Sequence, residues 1–178
     1  MIIEFLKSAS VIIRKNNKSV LVDPWLTDGE YYGSWYHYPQ FDLERIKNTN
    51  IDYIYISHVH PDHMSKQTLG LLNKDTPVLI HKYDKPFLKY NLMNLGYKNV
   101  IELEHGKEFK LDDDFYIKIF AADGCDPVLC QKFFKCYFNI ENLGSQQIDT
   151  LSLIFDSKNK ILNVNDCPLE LAKNTVSK

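Results

Sequence analysis

Residues 51–65 read IDYIYISHVHPDHMS, and their reading decides the fold. The first seven, IDYIYIS, are nearly continuous β-branched and aromatic side chains. That pattern suits a strand buried on both faces. HVHPDH, residues 58–63, then places three of the chain's six histidines and an aspartate in one loop. His58 and His60 are two apart, so in extended backbone they project the same way. Pro61 turns the chain, which lets Asp62 and His63 face a second nearby point. Imidazole and carboxylate together suit zinc, iron or manganese. Open α/β sheets commonly carry their sites at the carboxyl ends of strands, where this loop begins.

The flanking sequence supports a layered arrangement. SVIIRKN (10–16) and KSVLVDP (18–24) flank a polar turn and predict a hairpin. Residues 25–39, rich in aromatics and glycine, read as a long loop, and such loops are usually functional or mobile. Its aromatic run, Tyr31, Tyr32, Trp35, Tyr36, His37 and Tyr38, could stack on a sugar or base or simply pack on the core. Residues 65–74 predict a helix capped by Ser65. PVLIHK (77–82) predicts a buried strand, and 85–97 a helix ended by Gly96. Residues 99–103, 108–111 and 115–123 read as strands, with a turn at His105-Gly106. A second hairpin spans 150–157 and 160–166, and PLELAKN (168–174) reads as a short helix. Strands with interspersed helices predict a layered α/β (α+β) fold.

The chain has 178 residues, 44% hydrophobic and 25% charged, with net charge −2. That predicts one soluble domain with a real core. The charge argues against nucleic acid or an anionic membrane as main partner. No apolar run reaches the roughly 20 residues of a membrane span. The N-terminus lacks a signal-peptide pattern, so a cytoplasmic location is expected. Cys125, Cys130, Cys136 and Cys167 match no paired CxxC spacing and read as packed free thiols. A structural zinc site is the alternative.

HVHPDH is similar to the HxHxDH signature of the metallo-β-lactamase fold superfamily. LVDPWL (21–26) resembles that superfamily's early strand ending in Asp, and LNVNDC (162–167) its later strand carrying a bridging Asp. The resemblance runs from residue 1 to about 170. It implies an αβ/βα layered sandwich, read as a single domain over 1–178 whose second half is truncated at the C-terminus. It implies two divalent metal ions, with zinc first and iron or manganese as alternatives. His58 and His60 would bind one ion, Asp62 and His63 the other, and Asp166 would bridge them. Asp23 would orient the histidines from behind, as ligating imidazoles require. The implied activity is that of a metallo-hydrolase acting through a metal-bound hydroxide. Its expected partner is a phosphorylated, nucleotide-linked or acylated small molecule, and Asp62 also receives a proton.

Two departures qualify this. The superfamily's usual additional histidine is absent between the HxHxDH loop and Asp166. His81 and His105 lie there, but both read as structural or exposed. The strand ending in AADGCDP offers Asp123, Cys125 or Asp126 instead, and Asp123 at the strand end is the expected ligand. The superfamily's later histidine has no counterpart before Lys178. AADGCDP, IDTLSLIF and NVNDC also resemble the branch holding the metallo-hydrolase-like domain of CMP-N-acetylneuraminate hydroxylases. The alternatives are therefore an iron-dependent hydroxylase-like enzyme on a nucleotide sugar, and a non-catalytic metal-binding module.

Overall fold

The computed structural model describes residues 1–83, 86–121 and 149–167. Two sheets pack face to face. The larger has six strands in the order β1 (Ile2–Lys7), β2 (Ser10–Lys15), β3 (Lys18–Val22), β4 (Tyr53–Tyr55), β5 (Val78–His81) and β6 (Val100–Leu103). β1 to β3 pair antiparallel, and β3 to β6 pair parallel. The smaller is antiparallel, with β7 (Glu108–Asp112), β8 (Phe115–Ala121), β9 (Thr150–Phe155) and β10 (Lys160–Asn163) in the order β10-β9-β8-β7.

Period-two alternation sorts the apolar residues of the large sheet onto its two faces. Ile13, Val20, Val22, Tyr55 and Leu79 meet Phe115, Ile117, Ile119 and Ile154 of the small sheet. Ile54, Ile56, Val78 and Ile80 point the other way. They pack on Leu69, Leu88 and Leu92 of helices α3 (Lys66–Leu71) and α4 (Phe87–Asn94). Ile12 and Leu21 pack on Ile46 of α2 (Leu43–Lys47). The near-continuous apolar run in 51–57 thus has its reason: both faces are covered. Burying one such side chain contributes on the order of 2 kcal/mol. Among the described residues, helices, large sheet and small sheet form successive layers, a mixed α/β arrangement that matches a metallo-β-lactamase-like fold.

Several elements match their sequence reading. Ser65 caps α3, its hydroxyl accepting from the Thr68 amide. Gly96, at φ 92°, takes the left-handed turn that ends the α4 segment. The 10–24 hairpin and the 150–163 hairpin are present. Three features depart from it. Residues 2–7 form edge strand β1 and residues 43–47 form α2, neither of which the pattern announced. β1 exposes Ile2, Ile3 and Phe5, so it lacks a clean apolar-in, polar-out alternation. α2 is too short to show a helical period. Within the long 25–39 loop, Glu30–Gly33 makes one irregular turn, α1. The PLELAKN helix and Cys125, Cys130 and Cys136 lie outside the described residues. Cys167 is a buried free thiol against Leu151 and Phe120, and burial pushes it up to about 11.

Candidate metal centre

The centre forms where β4 ends against the start of β9. Asp23 directly follows β3, which pairs with β4 in parallel through Val22↔Tyr55. The Asp23 amide continues that pairing to the Tyr55 carbonyl at 2.9 Å. Asp23 is fully buried and holds φ 43° ahead of Pro24. A left-handed non-glycine residue costs on the order of 1 kcal/mol or more and persists where its surroundings over-determine it. Here Ser10 does so, donating to the Asp23 carbonyl at 2.7 Å and accepting from the Trp25 amide at 2.8 Å. Thr68 of α3 accepts from the Leu26 and Thr27 amides.

From that position Asp23 fixes two histidines. Its Oδ1 accepts from the Ser57 amide at 2.7 Å, and its Oδ2 from the Ser57 hydroxyl at 2.7 Å. Because the Ser57 proton points at Asp23, Ser57 Oγ accepts from His58 Nδ1 at 2.9 Å. His63 Nδ1 donates directly to Asp23 Oδ2, also at 2.9 Å. Both rings therefore hold a proton on Nδ1 and turn Nε2 inward, the orientation a metal ion needs. Burial, with His63 and His60 nearby, lowers the His58 imidazole to about 3. Burial also opposes charge on His63, but the Asp23 hydrogen bond and charge outweigh it and raise that ring. Burial raises Asp23 itself, against the opposing pull of His63.

Two donor groups share His58 Nε2. One is His58, His60 and Asp149; the other is His58, His63 and Asp166. His58 Nε2 lies 2.9 Å from His60 Nδ1, 3.7 Å from Asp149 Oδ1 and 3.8 Å from Asp166 Oδ2. His63 Nε2 lies 3.2 Å from Asp166 Oδ2 and 3.5 Å from Asp62 Oδ2. Tetrahedral ligands at zinc-like bond lengths stand about 3.4 Å apart, so these separations bracket what a bound ion requires. Asp149 Oδ1 is buried with no hydrogen-bond donor among the described residues, and burial raises this carboxyl. An orphaned buried acceptor facing inward ring nitrogens suits a divalent cation, and the residues present fit a metal pair.

Asp149 reaches the centre through Thr150, its neighbour at the start of β9. The Thr150 hydroxyl donates to the Ser57 carbonyl at 2.7 Å and contacts the Tyr55 hydroxyl at 2.9 Å. Asp166 arrives beyond β10, next to Asn165 at φ 45°. Asp62 Oδ1 accepts from the Tyr31 hydroxyl at 2.6 Å. Burial, the Asp62 hydrogen bond and nearby carboxylates raise that phenol, which stays a neutral donor.

The structure thus brings His58, His60, Asp62, His63 and Asp166 together, with Asp23 behind them. Asp123 lies outside the described residues, as do Cys125 and Asp126. His81 and His105 pack on Tyr83 and Phe120 and belong to neither donor group. Asp149, Ser57, Thr150 and the Tyr31 contact were not anticipated. A signal for Asp149 existed: an aspartate directly flanking the largely buried strand β9.

Comparison with known proteins bears on the family and the fold. The cytidine monophosphate-N-acetylneuraminic acid hydroxylase of Xenopus laevis is 30% identical over 173 residues, 93% of this chain and 25% of that protein. The chain spans between 18% and 25% of the length of the first curated relatives it matches. Among solved structures, CmlA, a diiron β-hydroxylase from Streptomyces venezuelae, superposes with TM-score 0.67 at 21% identity. That match covers 98% of this chain and 32% of CmlA. An isothiocyanate hydrolase from Delia radicum gut bacteria gives TM-score 0.67 at 12% identity, covering 99% and 67%. These two likenesses establish the fold, which hydroxylases and hydrolases share. No helix among the described residues is long and apolar enough to cross a membrane. With the beta-lactamase superfamily domain model matching residues 2–142, the chain belongs to that family.

Proposed function

We propose that this chain holds two divalent metal ions and carries the metal centre of a hydrolase. Its substrate is a phosphorylated, nucleotide-linked or acylated small molecule. One observation carries the reading: two donor groups converge on His58 Nε2, and Asp23 sets the orientation of two of their rings. His58, His60 and Asp149 hold one ion. His63, Asp62 and Asp166 hold the other, and Asp166 faces both through His58 and His63. When bound, the ions supply Lewis acidity and bring a bound water to a pKa of about 7. Asp23 and Ser57 keep the two imidazoles oriented throughout.

A second reading has its own support. Where a third imidazole is usual, the first donor group carries the Asp149 carboxylate. Carboxylate is a harder ligand and shifts preference from zinc towards iron or manganese. With a hydroxylase among the relatives, that favours an iron-dependent hydroxylation of a nucleotide sugar.

Elemental analysis of protein expressed without added metal, paired with two assays, tests both readings. Zinc with turnover of phosphodiester or ester probes supports the hydrolase. Iron with substrate-dependent oxygen consumption supports the hydroxylase. Less than one ion per chain after metal titration overturns both.

A further inference from the structure

Tyr31 joins the aromatic segment to the metal centre. Its hydroxyl donates to Asp62 Oδ1 at 2.6 Å, while Asp62 Oδ2 faces His63 Nε2 at 3.5 Å. The two oxygens of one carboxylate thus have different tasks. The backbone that aims the phenol is strained. Tyr31, Tyr32 and Gly33 are successive left-handed residues, at φ 50°, 61° and 82°. Only the glycine adopts that region freely, and the two tyrosines each cost on the order of 1–2 kcal/mol.

The surroundings hold the turn in place. The Gly29 amide donates to the Trp35 carbonyl at 2.8 Å, and the Trp35 amide to the Glu30 carbonyl at 3.1 Å. The Ser34 hydroxyl donates to the Tyr31 carbonyl at 2.6 Å. The Tyr31 ring lies 4.5 Å from the Trp35 ring, which lies 5.8 Å from buried Trp25. Packing on Trp35 does not require a hydroxyl; the bond to Asp62 does.

We propose that Tyr31 is a positioning residue of the metal centre, which occupies Asp62 Oδ1 so that Asp62 offers the second ion Oδ2 alone. This inference rests on the two-ion reading above. A carboxylate free to rotate would chelate through both oxygens and fill two coordination positions. Catalytic sites keep one position open for water or substrate. Tyr31 thereby preserves an open position, and it links the exposed aromatic segment to the reacting centre. A substrate ring that displaces Trp35 would disturb Tyr31 and, through it, Asp62.

The test titrates metal-free wild type, Tyr31→Phe and Tyr31→Ala with cobalt(II), against a chromophoric chelator and by visible spectrum. Phe keeps the ring on Trp35, so the metal-free protein should melt at the wild-type temperature. With Asp62 free to chelate through both oxygens, the Asp62/His63/Asp166 position should gain a ligand atom, so its coordination number rises and its cobalt affinity does not fall. Its visible bands should shift, while the His58/His60/Asp149 position keeps its affinity. If Tyr31→Phe binds both ions as wild type does, with unchanged spectra, the positioning role is wrong and the two-ion reading stands. If wild type binds no cobalt, the two-ion reading fails and takes the inference with it. Iron(III)-loaded wild type showing a phenolate charge-transfer band that Tyr31→Phe lacks would make Tyr31 a ligand, also overturning the role. Tyr31→Ala separates the parts: a lower melting temperature beyond that of Phe measures the packing contribution alone.

Discussion

The histidine half and the carboxylate half of the centre are built differently. His58 and His63 are buried and locked through Asp23 and Ser57 into one orientation each. Asp149 and Asp166 come from the opposite sheet, with side chains 34% and 53% exposed. The first half follows β4 of the large sheet and is tied to Asp23 at the end of β3. The second is delivered across a sheet–sheet seam. Stability should therefore reside in the histidine half, and occupancy by metal should depend on both.

The largest expected effect comes from Asp23→Ala. It strands the Ser57 amide, the Ser57 hydroxyl and His63 Nδ1 in a buried site. Removing one partner of such a set costs about 3–5 kcal/mol. Chemical denaturation of the metal-free protein should show that loss, and titration should find both metal positions weakened. A loss under about 1 kcal/mol would mean that the histidines are organised without Asp23.

Next in size is Thr150→Val, aimed at the seam. The Ser57 carbonyl and Tyr55 hydroxyl each lose a buried partner, at about 1–3 kcal/mol in total. The position formed by Asp149 should lose metal, and the position formed by His63 and Asp166 should keep it. Equal loss at both would show the two halves to be one cooperative unit.

Asp149→Ala and Asp166→Ala should move stability by less than about 1 kcal/mol. Among the described residues Asp149 Oδ1 has no donor to lose, so its removal strands none of them. Each variant should nevertheless bind one ion fewer per chain by elemental analysis. A marked fall in melting temperature for either would group these carboxylates with the histidine half.

The smallest effect is in pH. In metal-free protein, His58 should take no proton until the pH approaches about 3. His63 should keep its proton to above the ordinary histidine value of 6.5. Metal requires neutral rings, so binding must displace a proton from His63 and none from His58. Affinity should therefore rise with pH through the raised His63 value and then level off. Ring NMR titration assigns the two values, and chelator competition across pH reads the slope. A slope equal in wild type and His63→Ala would remove His63 from that linkage.

Local signals carried much of the fold and half of the centre. YIYI, residues 53–56, reads as a two-faced strand because its alternate side chains meet two different layers. HVHPDH needs no tertiary information to bring its donors together, since six consecutive residues around a proline cannot be far apart. β1 and α2 escaped notice because an edge strand with exposed isoleucines and a five-residue helix carry little periodicity. The sequence reading places a third donor at Asp123, at the end of the 115–123 strand, and Asp123 lies outside the described residues. Asp149, beside the start of β9, has the right chemistry but owes its place to Thr150 reaching Ser57 across 93 positions.

By itself, then, the sequence determined the layered α/β class, the buried strand, the family motif and the metal-binding chemistry of residues 58–63. These depend on periodicity, side-chain type and short chain distances. Tertiary structure alone decided which ring nitrogens face inward, that Asp149 joins His58 and His60, and that Tyr31 engages Asp62. Each of these joins residues dozens of positions apart, through hydrogen bonds whose direction is set only once β3 pairs with β4 and the two sheets close on each other.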